Sequence, residues 1–215
     1  MTLATPKILG LTATLLVLAA TAISAALYQG RQAERYSLFN HYISELGEVG
    51  VSAAAWLMNG AFILGGLILM PFLFSVGLLL GSPLGWLATL AGVGAGLALA
   101  AVGVFPRNRL EPHAQAAMAF FRLGLVMVIL FGLAVWFQPV GNQVLPRWVS
   151  LFSLLAAACY SSFLLITRPR PSVEPAETLD PVSVPERPRF WLAPILEWSI
   201  FIATILWLVG LAVAL

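Results

Sequence analysis

The chain has 215 residues, 60% of them hydrophobic and 9% charged, with a mean hydropathy of +0.95. That is too little polar surface to coat a water-soluble globule, so the composition excludes a soluble enzyme and points to an all-α integral membrane protein. The formal net charge of +2, with arginines scattered near helix ends rather than striped among aromatics, gives no basis for a nucleic-acid partner.

Six apolar runs, at 8–28, 51–80, 84–105, 114–137, 148–167 and 190–215, each reach the roughly 17 to 20 residues that cross a hydrocarbon core. They predict a single domain, a six-transmembrane-helix bundle. The first run contains small residues that resemble a signal-peptidase site, but it is long enough to span and is expected to be retained. The second is overlong, which predicts tilt, a start outside the core, or a kink at Pro71. The third carries Gly92, Gly96 and Ala100 at a spacing that lets a neighbouring backbone approach closely.

Between the first two runs lies "YSLFNHYISELGEVG". If this stretch is an α-helix, His41, Ser44, Glu45 and Glu48 fall at i, i+3, i+4 and i+7 and share one face. The connector "FPRNRLEPHAQAA" lies at the same end of the bundle and adds Arg107, Arg109, Glu111 and His113. Pro112 places His113 in the first turn of the fourth helix, beside the positive end of its dipole. That position suits a metal ligand, a neutral hydrogen-bond donor or a general base. Deeper in the spans, Arg122, Glu197 and Asn59 sit at matching depths. They predict an Arg122–Glu197 pair with Asn59 nearby, a polar floor below the two histidine-bearing connectors.

The fifth run holds Cys159, the one cysteine, which excludes an internal disulfide. The Pro-rich loop 168–189 reads as an extended linker. Nine of the 11 Lys and Arg residues gather at the end bearing the first connector, leaving Lys7 and Arg147 at the other. By the positive-inside rule the first end is cytoplasmic, with both termini on the opposite side of a cytoplasmic (inner) membrane.

"HYISELG" followed by "GVFPRN…EPHAQAAMAFF" resembles the prokaryotic multipass family known as domain of unknown function 998. It is more distantly similar to the damage-regulated autophagy modulators and lipid-anchor remodelling proteins. The family-like positions are Ile43, Ser44, Gly47, Phe105, Pro106, His113 and Ala117. The resemblance implies a multipass helical fold.

Three functions fit these residues. In the first, a pocket at the cytoplasmic face binds a membrane lipid or similar amphiphile, with Asn59, Arg107, Arg109, Arg122 and Glu197 near its head. In the second, a metal-dependent hydrolase holds a divalent cation with His41, His113 and one of Glu45, Glu48 or Glu111; His41, Ser44, Glu45 and His113 are then the catalytic candidates. In the third, the chain is a non-catalytic subunit of a larger membrane complex, partnered by other membrane proteins.

Overall fold

A computed structural model describes residues 4–167 and 187–215. The predicted Pro-rich loop lies outside the described residues as far as residue 186. Six helices account for most of the described chain: α1 (Ala4–Ala26), α2 (Ala55–Leu80), α3 (Pro83–Val104), α4 (Leu110–Trp136), α5 (Val149–Ile166) and α6 (Leu192–Ala214). All six are long and apolar enough to cross a membrane. Each packs on the next, and α6 returns to α1, so the bundle closes as a ring.

Helix α1 shows why these segments pack as they do. Gly10, Ala13, Thr14, Val17, Ala20, Thr21 and Ser24 form its buried stripe, while Ile8, Leu15, Leu18 and Ile23 face outward. In lipid the driving term is close contact rather than escape from water, so small residues turn inward and large ones meet the acyl chains. Thr14 and Thr21 donate to the carbonyls of Gly10 and Val17, each at 2.8 Å, which satisfies their hydroxyls within the helix.

Gly81, Ser82 and Pro83 set the turn between α2 and α3. Gly81 takes a left-handed φ of 58° and closes α2 through a bond to Gly77. Ser82 caps α3 by accepting from the Gly85 N–H at 3.1 Å, and Pro83 opens the helix where its missing N–H costs nothing. The α2–α3 crossing is a backbone contact. A Cβ at Gly96 would stand 2.8 Å from the Gly66 carbonyl oxygen, and one at Gly66 would stand 2.8 Å from the Ala100 nitrogen.

Two boundaries differ from the sequence expectation in ways that matter for the site. Helix α2 begins at Ala55 rather than Val51, because Val51–Ala54 form turns after Gly50, whose φ is 82°. Helix α4 begins at Leu110, so Pro112 falls inside its first turn and His113 immediately follows. Pro71 is accommodated inside α2, which continues unbroken to Leu80.

At the far end, Gln138 ties the α4–α5 loop together. Its Nε2 donates to the Val135 and Leu145 carbonyls at 2.9 and 2.8 Å, and its Oε1 accepts from the Val144 and Leu145 N–H groups at 2.7 and 3.1 Å. All four of its hydrogen-bonding positions are filled. Gln138→Ala leaves those backbone groups without partners and is expected to cost about 2 kcal/mol, read as a lower midpoint in thermal unfolding.

Candidate functional site

The first connector does not form the α-helix that would put its four polar residues on one face. Ile43–Gly47 is a 3-10 helix of 5 residues, and His41 precedes it. A 3-10 turn stacks residues three apart, so Glu45 and Glu48 line up while His41 and Ser44 point elsewhere. The cluster splits into an ionic clasp, an aromatic nest and a cavity wall.

The clasp is centred on Glu45, whose side chain is 3% exposed. Arg187 grips it bidentately, with Nη1 to Oε1 at 3.0 Å and Nη2 to Oε2 at 2.9 Å. The Tyr42 N–H donates to Oε1 at 3.0 Å. Arg107 places its Nη1 3.0 Å from Oε1, an ion pair rather than an aligned hydrogen bond, and lies over the Tyr42 ring. Glu48 pairs with Arg31 and reaches the Arg107 Nε at 4.0 Å. Burial pushes the Glu45 carboxyl up, but Arg187, the Tyr42 N–H and Arg107 more than offset this and hold it below the usual carboxylate range.

Neutral bonds reinforce the clasp. Asn108 accepts from the Val49 N–H at 2.7 Å and donates to the Val49 carbonyl at 2.8 Å, which joins the α3–α4 connector to the first. The segment before α6 joins the same assembly through Trp191 N–H to the Phe39 carbonyl at 2.8 Å and Asn40 Nδ2 to the Pro188 carbonyl at 3.0 Å. Three connectors are thus bound into one cap.

His41 sits in the aromatic nest. Its ring packs against Tyr28 and Tyr36 at centroid distances of 5.4 and 5.1 Å, and Tyr36 packs in turn on Trp198. Nδ1 accepts from the Ser37 N–H at 3.2 Å, which places the proton of the neutral ring on Nε2. Nε2 is buried without a hydrogen-bond partner, 3.9 Å from Glu34 Oε1. Burial, and then the Arg187 guanidinium, push this imidazole below its usual range.

The cavity lies beneath the cap, between α1, α2, α3, α4 and α6, with a volume of about 100 Å³. Ser44, His113 and Glu197 line it at the connector end, and its walls include Phe62, Leu99, Phe121 and Leu208. Leu208 on α6 and Met127 on α4 carry the lining roughly 16 to 21 Å deeper along their helices than Glu197 and His113. Glu197 Oε2 accepts from the Ile43 N–H at 2.7 Å. His113 Nδ1 lies 2.8 Å from the Phe105 carbonyl oxygen. A carbonyl only accepts, so Nδ1 carries a proton, and the neutral ring presents Nε2 as an acceptor.

Several sequence expectations are corrected here. Arg122 does not pair with Glu197: it is exposed on α4, and no described acid reaches it. Asn59 does not complete a floor with them, because its Nδ2 donates to the Gly47 carbonyl at 2.9 Å and holds the end of the 3-10 helix. Arg107 is engaged with the glutamates of the cap, and Arg109 is exposed, so neither lines the cavity. The proposed metal ligands His41, Glu45, Glu48, Glu111 and His113 are dispersed, and among the described residues no three His, Cys, Asp or Glu side chains gather to hold an ion. The glutamates are spent on arginines, Glu111 is exposed, and His41 lies in the nest rather than the cavity.

Sequence reasoning assigned no site role to Arg187, Asn108 or Arg31. The available signal was charge balance: two acids in one apolar connector require cations, and the connector end holds most of them.

The profile of the family described as "Protein of unknown function (DUF998)" matches residues 12–214. The chain belongs to this family. The match runs from within α1 to the end of α6 in this DUF998 protein and includes the cap and the cavity. No curated protein and no solved structure matches it.

Proposed function

We propose that this DUF998 protein binds a lipid-like amphiphile, with the head at Ser44, His113 and Glu197 and the chain along the apolar walls below, which part beyond the cavity's volume of about 100 Å³ to admit it. One observation carries the reading: polar groups converge at one end of an otherwise apolar cavity inside a membrane-spanning bundle. An ionisable residue such as Glu197 is costly at this position and is retained where it meets a partner. By the positive-inside rule, the concentration of arginines at the connector end favours a head in the cytoplasmic leaflet.

The experiment is recovery of bound lipid from protein purified in mild non-ionic detergent. Ala117 lines the cavity between the levels of His113 and Phe121, so Ala117→Trp fills it. The native protein is expected to retain a defined lipid by native mass spectrometry, and the variant to lose it while keeping its helical content. Equal retention by the two proteins would sink the reading.

A further inference from the structure

We propose that the head group this cavity takes is a primary amine, so that the ligand is a long-chain ammonium amphiphile rather than an anionic lipid. The inference rests on the cavity reading above and adds the chemistry of its polar end.

The cavity head presents acceptors. Glu197 offers carboxylate oxygens and receives one protein hydrogen bond, from the Ile43 N–H. His113 has its Nδ1 proton directed at the Phe105 carbonyl, which leaves Nε2 as a lone-pair acceptor. Ser44 adds a hydroxyl that both accepts and donates. Among the described residues no Lys or Arg lines the cavity. Among the described residues the nearby guanidiniums are engaged or exposed: Arg107 and Arg187 pair with Glu45, and Arg122 is exposed.

This distribution decides between head groups. A phosphate or carboxylate head would place a second acidic group beside Glu197 with no lining cation to balance either, inside a bundle where an uncompensated charge is expensive. An ammonium brings three N–H donors and a positive charge to three acceptors, one of them a carboxylate, and its charge-assisted bond to Glu197 is the stronger kind. An alcohol head satisfies some of the same acceptors but brings no charge to pair with Glu197.

The test presents dodecylamine, dodecanol and dodecanoate to the protein in phosphatidylcholine nanodiscs at neutral pH. The choline head has no N–H, so the surrounding lipid does not supply the proposed donor. Binding is followed by tryptophan fluorescence and by thermal shift, and the Ala117→Trp signal is subtracted to remove membrane partitioning. Dodecylamine is expected to bind about tenfold more tightly than dodecanol, a gap of about 1.4 kcal/mol, with dodecanoate weakest. Glu197→Gln keeps the shape and is expected to bring amine and alcohol affinities together.

Dodecanoate or dodecanol binding the native protein at least as well as the amine, with that binding lost in Ala117→Trp, would overturn the amine assignment and leave the cavity reading standing. Indistinguishable binding of all three to native protein and Ala117→Trp would overturn the cavity reading itself. If Glu197→Gln does not fold, the ranking of the three amphiphiles on the native protein decides the assignment alone.

Discussion

Glu45→Ala is expected to destabilise the protein by about 3 kcal/mol and to release the segment that leads into α6. Removing one partner of a buried ion pair costs roughly 3 to 5 kcal/mol, and the lower figure applies because the two guanidiniums are partly solvated. Arg107 and Arg187 are 29% and 33% exposed, whereas Glu45 is 3% exposed. The loss should appear in two measurements: a lower midpoint in thermal unfolding, and faster hydrogen exchange at the Trp191 amide, which donates to Phe39 in the native cap. Acid should reproduce the release. The folded-state pKa of Glu45 is depressed, so its contribution is present above the ordinary carboxylate pKa and is lost as the pH falls through the lower folded value. Protection of Trp191 is therefore expected to hold through neutral pH and to fail once the pH drops below the ordinary carboxylate range. Protection in Glu45→Ala equal to that of the native protein would refute the assigned role of the clasp.

Gly66→Ala is expected to be at least as damaging, because nothing it meets can yield. The added methyl would contact the Gly96 carbonyl oxygen and stand 2.8 Å from the Ala100 nitrogen, both main-chain atoms of α3. Separating α2 from α3 to relieve that contact sacrifices the interhelical packing that substitutes in lipid for a hydrophobic driving force. The expected cost is about 3 kcal/mol or more, at the upper end for overpacked cores. Gly60→Ala is the control on the same helix. Its added Cβ meets nothing within 4 Å, so the change is expected to be neutral or to stabilise by up to about 1 kcal/mol through helix propensity. Unfolding of the two variants in one detergent checks both, and a similar midpoint for both would show that the close crossing is not required.

The six helices were legible because composition and run length fix the number of crossings, and the GxxxG spacing marked one close contact. The polar site was legible only in part. Counting residues along a helix gives depth, and depth is what suggested an Arg122–Glu197 pair, but rotation about the axis decides whether two side chains meet. Arg122 shares its face with Val126, Ile129 and Leu133, all outward-facing, whereas Glu197 lies on the buried side of α6 with Ile200 and Leu208. That large apolar outward stripe is visible in the sequence once small residues such as Gly124 are taken as the inner face.

The first connector was misread for a different reason. Its i, i+3, i+4, i+7 pattern is real, but the local geometry is a 3-10 turn held by contacts from elsewhere: Asn59 on α2, Glu197 on α6, and arginines of two other connectors. Such turns are chosen by long-range partners, and a window of local sequence does not contain them. Gly47 illustrates this, since the side chain of Asn59 occupies the space that a Cβ there would need.

The two ends of the bundle are fastened by different chemistry. Gln138 secures the far loop with four neutral amide hydrogen bonds, whereas the opposite cap combines hydrogen bonds with partly exposed guanidinium–carboxylate pairs. Mobile ions screen exposed pairs and scarcely affect buried amides, the Debye length falling from about 10 Å at 0.1 M to about 3 Å at 1 M. Concentrated salt should therefore weaken the connector end, most at the Arg31–Glu48 pair, whose guanidinium is exposed, and leave the far loop as it is, giving the molecule two ends of unlike salt sensitivity that its ring of similar helices conceals.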